Sequence, residues 1–169
     1  MRLVALKALL IFGSIFFLGA CSASFEEVVV ETTEAVETEL VQETKEVNES
    51  NKDIEYRLPF GVEKQEETEN NIILKNGSRT YILFYNQYED RNSKVVYEST
   101  LEQNEEWDVK EVFEKDGEFG YLLVKILDED KEVYQIVAGV GGVKLTTESN
   151  SLKSDAVTMM EIANSVQVK

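Results

Sequence analysis

Residues 121–147, YLLVKILDEDKEVYQIVAGVGGVKLTT, decide the fold of this chain. Three apolar segments are separated first by the polar run Asp128-Glu129-Asp130-Lys131 and then by the pair Gly141-Gly142. Strands joined by such short turns must run antiparallel, because a parallel return needs a long crossover. The stretch therefore predicts consecutive strands of an antiparallel meander. Tyr121–Val124 is apolar at every position, so we expect it in a central strand with both faces covered.

Two further turn signals extend this pattern toward the N-terminus. Asn76-Gly77 separates residues 72–74 from 80–85, and Asp116-Gly117 separates 107–113 from 121–127. Such dipeptides supply the positive φ angles that two-residue hairpins require. The second half of the chain is thus predicted to be a four-stranded meander. Glu111 interrupts the apolar alternation of residues 107–113, which favours an edge position for that strand.

Two segments have helical spacing. One apolar stripe near the C-terminus predicts a helix on the sheet, with Ser154 as its N-cap and Asp155 in its first turn; its members are Ala156, Met159, Met160, Ala163 and Val166. Residues 93–103 are compatible with a short helix or with a strand. The predicted fold class is α+β, an antiparallel meander with hairpins packed against a C-terminal helix and possibly one further helix.

Composition divides the chain into three parts. Residues 53–169 carry the periodic segments and have the size of a single domain. Residues 21–52 contain many glutamates and few apolar side chains, which predicts a disordered, extended tether. Fully stretched, the roughly 27 residues from Phe25 to Lys52 would reach about 90 Å. The alternative is a segment that folds on contact with a partner, with Val28-Val29-Val30 as its apolar seed.

The N-terminal segment has the features of a secretory signal. Arg2 and Lys7 precede an apolar run over residues 8–18, which is shorter than the ~20 residues that a membrane-spanning helix needs. Small residues then lead into the only cysteine. The phrase Leu18-Gly19-Ala20-Cys21 resembles the lipobox of bacterial lipoproteins. We therefore interpret residues 1–20 as a lipoprotein signal peptide.

The lipobox resemblance implies cleavage between Ala20 and Cys21, with Leu18, Gly19 and Ala20 recognised by the signal peptidase. It also implies diacylglycerol on the Cys21 sulfur and a protein on the extracytoplasmic face of the cell membrane, in the outer leaflet if the source is Gram-positive. Two acyl chains give stable attachment, which one chain does not. Because a lone cysteine cannot form an intramolecular disulfide, the exported domain must be stabilised by its core alone.

The charge balance bears on the class of partner. The formal net charge is −16, and loss of Arg2 and Lys7 with the signal takes it to −18. Phosphate backbones are bound through basic stripes, which this composition does not supply, so nucleic acid is not an expected partner. The expected partners are the membrane, through the lipid on Cys21, and an unidentified envelope protein or polymer.

Residue types limit the chemistry that the chain can perform. The sequence has no histidine, which excludes histidine-based catalysis and histidine metal sites. Paired carboxylates could hydrolyse glycans, and Glu111 with Glu114 near Trp107 are the candidates for such a pair. The acidic run 128–132 lacks the glycine of a calcium loop, since Val133 occupies that position, and is better explained as a turn. We predict no cofactor and no metal.

One aromatic cluster is a candidate binding surface. Tyr81 and Tyr85 are four residues apart on a predicted strand and therefore share a face, while Phe84 lies on the other. If that face is exposed, the Tyr81 and Tyr85 rings could bind a partner or a sugar ring. Packing within the sheet is the alternative for the same residues.

A second resemblance covers about residues 54–169. Tyr56-Arg57-Leu58-Pro59-Phe60-Gly61-Val62 resembles the opening strand and turn of small lipoprotein domains in the Mog1/PsbP-like superfamily. Glu161-Ile162-Ala163-Asn164-Ser165-Val166 is similar to the helix that closes those domains. The resemblance implies a fold without a shared active site.

These observations favour a membrane-anchored extracytoplasmic lipoprotein whose domain is a non-enzymatic binding or accessory module of the cell envelope. An envelope glycan hydrolase with paired carboxylates is one alternative. A carrier of a small ligand is the other, and it would need a deep apolar pocket beneath the sheet.

Overall fold

The computed structural model describes residues 24–103 and 106–169. The helices among these residues are α1 (Phe25–Val41), α2 (Val95–Gln103) and α3 (Leu152–Ser165). The strands are β1 (Glu49–Ser50), β2 (Ile54–Tyr56), β3 (Glu63–Glu67), β4 (Asn71–Asn76), β5 (Arg79–Tyr85), β6 (Val109–Lys115), β7 (Glu118–Asp128), β8 (Val133–Val140), β9 (Val143–Ser149) and β10 (Gln167–Val168).

Seven strands form one antiparallel sheet in the order β3-β4-β5-β9-β8-β7-β6. The four strands β6 to β9 are consecutive neighbours, so the predicted meander is confirmed, and β6 lies at an edge as Glu111 indicated. The predicted turns at 76–77, 116–117 and 141–142 each join neighbouring strands of this sheet. Tyr121–Val124 is buried throughout, as expected of a strand covered on both faces. A small sheet, β1-β2-β10, completes the fold.

The two faces of the large sheet are covered unequally. Helices α1 and α3 lie on the first face, over a core that includes Leu83, Leu122, Ile136 and Leu145. On the second face, α2 covers the part formed by β6 to β9, where Tyr97 and Leu101 pack on a separate cluster and Lys144 of β9 donates to Thr100. The buried members of this cluster are Phe119, Tyr121, Leu123 and Val137. The segment 95–103, which the sequence left undecided, is therefore a helix.

The α+β class is confirmed, but the start of the C-terminal helix differs from its prediction. Helix α3 begins at Leu152, and Ser151 occupies its N-cap position without a side-chain capping bond. Ser154, predicted as the N-cap, lies inside the helix. Asp155 lies in the first turn, as predicted, and its side chain is fully buried. The predicted apolar stripe is correct, since Ala156, Met159 and the rest of its members are buried.

The prediction that residues 21–52 form a disordered tether was wrong for residues 25–41. Helix α1 begins with a capping box, in which Glu27 N donates to Ser24 Oγ and Ser24 N donates to the Glu27 carboxylate. Its inner face buries Thr32, Val36 and Leu40 against the sheet. The Phe25 ring stacks on the Tyr134 ring, with centroids 5.6 Å apart. The folded unit therefore starts well before residue 53.

The packing of α1 on the sheet is close at its C-terminal end. Gly120 of β7 lies beneath Leu40, and a Cβ at this glycine would come within 2.6 Å of Leu40 Cδ2. Such contact is tighter than van der Waals packing permits, so a larger residue at this position would require the Leu40 side chain to shift. Lys153 Nζ at the start of α3 pairs with the Glu31 carboxylate at 2.9 Å. Near the other ends of the helices, Asn164 of α3 contacts the carbonyls of Glu39 and Leu40 of α1, so the two helices run side by side in the same direction. No helix in the described part of the chain is long and apolar enough to cross a membrane.

Candidate functional site

A groove of about 710 Å³ opens at the end of the sheet where α1 and α3 both terminate. We call it the Arg91 groove. Its walls are formed by residues 40–44 at the end of α1, the loop 85–91, the hairpin regions 115–118 and 140–143, and residues 164–168. Loops and element ends that meet on a rigid scaffold are common positions for binding sites, which makes this groove the first candidate.

Arg91 is held at the base of the groove by four hydrogen bonds. Its Nε and Nη2 atoms form a bidentate pair with the Glu118 carboxylate, with Nη2 and Oε2 2.9 Å apart. Its Nη1 donates to the Asn164 carbonyl at 3.0 Å, and Nη2 also donates to Asn164 Oδ1. The planar guanidinium suits such paired acceptors. The Asn164 carbonyl lies at the C-terminal end of α3, where a cation is favourable.

Asn164 extends this network to α1. Its Nδ2 donates to the carbonyls of Glu39 and Leu40 at 3.0 and 3.1 Å. Those carbonyls lie in the last turn of α1, where no intrahelical donor is available. One buried amide therefore joins the ends of both helices to Arg91. The network fixes the walls of the groove relative to one another.

The glycine pair of the β8–β9 hairpin allows the 85–91 loop to lie against the sheet. Gly141 has a positive φ of 54°, and a Cβ there would come within 2.3 Å of the Asp90 carbonyl oxygen. A Cβ at Gly142 would come within 2.7 Å of Glu89 Cβ. Asn86 N donates to the Gly142 carbonyl at 2.9 Å. The hairpin turn was predicted, whereas the contact that requires two glycines was not.

The groove is acidic overall. Five carboxylates line it, against the two cations Arg91 and Lys115; they are Glu43, Glu89, Asp90, Asp116 and Glu118. Apolar side chains, among them Val41 and Val168, are half-exposed in the same walls. Such a mixture suits a polypeptide segment with positive charge better than an anion.

A second, shallower surface of about 880 Å³ runs along the hairpin 76–80 and the end of β9, residues 146–150. Its cation, Arg79, is already engaged. Arg79 Nη2 donates to Ser151 Oγ at 2.7 Å, and Arg79 Nε lies 3.1 Å from Asp155 Oδ2. The remaining lining is polar, with Glu148 as its one carboxylate and Ile82 as its apolar member. Arg91 is paired as well, so the choice depends on the rest of the lining. The Arg91 groove combines five carboxylates with half-exposed valines, and we therefore consider it the stronger candidate.

The prediction that Tyr81 and Tyr85 form an exposed binding pair was wrong. Their shared face is the first face of the sheet, and both side chains are buried. Tyr81 Oη donates to Asp155 Oδ1 at 2.7 Å, while Tyr85 Oη donates to the Glu69 carbonyl at 2.8 Å. Burial raises the pKa of both phenols, and for Tyr81 the bond to Asp155 adds to the rise. Tyr81 thus connects β5 to α3, Tyr85 connects it to the turn between β3 and β4, and neither side chain forms an exposed surface.

The predicted carboxylate pair is not brought together. Glu111 and Glu114 are three residues apart on β6, so their side chains point to opposite faces. Glu114 is exposed and accepts from Lys94 Nζ at 2.6 Å, a contact that lowers the pKa of its carboxyl group. Among residues 24–103 and 106–169, no group of three His, Cys, Asp or Glu side chains is placed to hold a metal ion.

The other predicted site residues are Leu18, Gly19, Ala20 and Cys21, and they lie outside the residues that the structure describes. Sequence reasoning also missed Arg91 and Asn164. No local pattern marks either residue, because their partners are distant in sequence. An asparagine near the end of an apolar helical stripe was the one available signal, since a buried polar side chain needs hydrogen-bond partners.

Known proteins resemble this chain only distantly. No family model matches this chain, and no curated protein matches it. A crystal structure of a protein from Bacteroides thetaiotaomicron is similar over 69% of this chain, with a TM-score of 0.37 and 12% identity. This chain spans 45% of that protein's length. The likeness is distant and assigns no family.

Proposed function

We propose that this protein is a lipid-anchored extracytoplasmic lipoprotein whose domain binds a protein of the cell envelope. One observation carries the proposal. The lipobox-like Leu18-Gly19-Ala20-Cys21 is followed, after Ser22 and Ala23, by the capping box of a helix that packs into the core. An anchor at Cys21 would therefore be joined directly to the folded unit.

This arrangement sets the distance between domain and membrane. Phe25 begins α1, so four residue steps separate it from Cys21. At full extension these steps reach about 14 Å, compared with the roughly 90 Å of the tether that composition indicated. The domain would lie next to the bilayer surface. Its partner would then be a membrane protein, or a protein held near the membrane.

The Arg91 groove is the proposed binding surface, and a positively charged segment of the partner is the proposed occupant. Its five carboxylates and half-exposed valines support this choice. The proposed role is non-enzymatic. Glu111 and Glu114, the two carboxylates considered for hydrolysis, point to opposite faces of β6, which removes the support for the hydrolase alternative at that pair. The likeness to Mog1/PsbP-like domains also remains a proposal; Pro59-Phe60-Gly61 forms a turn, and residues 161–166 end α3.

The anchor is tested by intact-mass analysis of the protein isolated from its native membrane. The proposal predicts loss of residues 1–20 and addition of a diacylglycerol mass on Cys21. Cys21→Ser should release the protein from the membrane fraction. A native protein that keeps residues 1–20, or that carries an unmodified thiol, would contradict the proposal.

The groove is tested by charge reversal within the intact lipoprotein. Glu43→Lys with Asp90→Lys, at two exposed carboxylates of the groove, should abolish capture of the envelope partner from solubilised membranes. The matched control, Glu129→Lys with Asp130→Lys, makes the same change in the exposed β7–β8 turn and should leave capture intact. Equal capture by both variants would show that the groove is not the binding surface.

A further inference from the structure

The two edges of the seven-stranded sheet differ in how they are protected. Strand β3 is short, carries three glutamates and has a bulge between Lys64 and Glu66. Charges and bulges are the usual devices that prevent an edge strand from pairing with another chain. Strand β6 pairs with β7 over seven residues without a register shift and carries a half-exposed Val112 at its centre. The β6 edge also carries charges, in its case two lysines and two glutamates, but it has no bulge.

The hydrogen-bond phase of β6 follows from its hairpin. Asp116 and Gly117 both have positive φ, which defines a two-residue turn closed by the pair Lys115 and Glu118. Hydrogen-bonded and non-hydrogen-bonded pairs alternate along an antiparallel ladder. Phe113 and Glu111 therefore form their backbone hydrogen bonds with β7. The backbone groups of Lys110, Val112 and Glu114 point to the open edge.

These three residues are complementary to a second copy of themselves. In an antiparallel pair centred on Val112, residue 112 lies opposite 112 of the other copy, and 110 lies opposite 114. Every outward backbone group of the three residues then has a partner. Lys110 faces Glu114 of the other copy twice, because the arrangement has two-fold symmetry. The backbone hydrogen-bond phase, the pairing of Lys110 with Glu114 and the central Val112 are all satisfied by this one register.

We propose that this protein forms a homodimer in which two β6 strands pair antiparallel about Val112. The two-fold axis is perpendicular to the sheet, so both α1 helices lie on the same side of a continuous fourteen-stranded sheet. Two anchors could therefore enter one membrane. Within each chain, Lys94 and Glu114 form an ion pair in which both side chains are exposed. Such a surface pair is weak, so it does not prevent Glu114 from accepting a hydrogen bond from Lys110 of the other copy.

The test is disulfide cross-linking of the full chain in membranes at about 0.15 M salt, which limits repulsion between two acidic chains to a range of ~8 Å. Val112→Cys should form a reducible dimer, because hydrogen-bonded residues in antiparallel strands have Cα atoms roughly 5.5 Å apart, within disulfide range. The control is Ile82→Cys, at a side chain of similar exposure, 43% against 48%, in the middle of the sheet. The parent chain controls for Cys21.

Charge reversal then tests the register in the Val112→Cys background. Lys110→Glu or Glu114→Lys alone places two like-charged pairs across the axis and should lower cross-linking roughly tenfold. The two changes together restore opposite charges and should restore cross-linking. Thermal unfolding of each variant confirms that it folds. Cross-linking of Val112→Cys no greater than that of Ile82→Cys, or a double reversal that stays as low as the single ones, would overturn the proposal.

Discussion

Helices α1 and α3 lie side by side on the same face of the sheet, yet their sequences differ in kind. Helix α3 has a continuous apolar stripe and nine buried residues. Helix α1 has six glutamates, no lysine or arginine, and three buried residues. Several of its residues are β-branched, which lowers helix propensity. Helix α3 is specified by its own pattern, whereas α1 depends on contacts that the rest of the chain supplies.

The two helices are also attached differently. Asp155 anchors α3 through the Tyr81 hydroxyl and the Arg79 guanidinium. Helix α1 is attached by Leu40 over Gly120 and by the Asn164 amide at its C-terminal end. The buried hydrogen bonds of α3 and the steric fit of α1 should respond differently to substitution. The free energy of unfolding can therefore be compared for substitutions in each helix.

The largest effect is expected at Asp155. Asp155→Ala leaves the Arg79 charge and the Tyr81 hydroxyl without their shared partner, and removal of one member of a buried pair is strongly destabilising. Because Arg79 is about one-third exposed, we expect the lower end of that range, a loss of about 3 kcal/mol in the free energy of unfolding. Urea denaturation measures it. A loss no larger than that of an exposed substitution such as Glu129→Ala would contradict the assigned anchor.

The next effect is expected at Leu40. Leu40→Ala removes the side chain that covers Gly120 and should cost about 2 to 3 kcal/mol in unfolding free energy. Val41→Ala, at the neighbouring half-exposed position, should change it by no more than about 0.5 kcal/mol. Equal effects at both positions would mean that α1 is not docked through Leu40.

Gly120 gives a sharper version of the same test. Gly120→Ala should destabilise the parent protein by about 1 to 3 kcal/mol, because its Cβ collides with Leu40. In the Leu40→Ala background the collision is absent, so the same change should cost much less. This double-mutant cycle measures the contact between α1 and β7 directly. Additive losses would show that the two residues do not touch.

A smaller effect is expected at the N-cap of α1. Ser24→Ala removes one half of the capping box and should cost roughly 0.5 kcal/mol, since the bond is exposed and 3.3 Å long. Amide exchange should quicken in the first turn of α1 and stay unchanged in α3. Faster exchange in both helices would mean that they open as one unit.

The smallest effect is expected at Glu39 and depends on pH. Burial raises the pKa of the Glu39 carboxyl group, with a further rise from Glu161 and an opposing effect of Lys45. The charged form is therefore disfavoured in the folded state, so Glu39→Gln should raise the stability at pH 7. The gain should diminish as the pH falls through the raised pKa, where the native carboxyl group is protonated. A gain that is the same at pH 4 and pH 7 would contradict this cause.

The sheet could be predicted because its signals are local. Asn76-Gly77, Asp116-Gly117 and Gly141-Gly142 each specify a turn by backbone geometry, and each one joins the strands expected. The assignment of faces could not be made, because β5 is apolar on both sides. Tyr81 lies on the covered face and Ile82 on the partly open one, and alternation alone does not distinguish them.

Helix α1 was missed because composition outweighed pattern. Glutamate content predicted disorder, while an apolar stripe and the capping box at Ser24 and Glu27 were both present; the stripe consists of Phe25, Val29, Thr32, Val36 and Leu40. A threonine in the middle of the stripe weakens it. The Arg91 groove had no local signal at all, since it depends on contacts between distant residues.

Hydrogen exchange over residues 25–41 of the full-length protein is the most direct test of whether α1 is part of the folded domain. If α1 is part of the fold, its amides beyond the first turn should exchange slowly and regain fast exchange only when Leu40 is replaced by alanine. If residues 25–41 exchange as fast as an unfolded peptide in the parent protein, α1 is a tether, and the proposed position of the domain at the membrane surface is wrong.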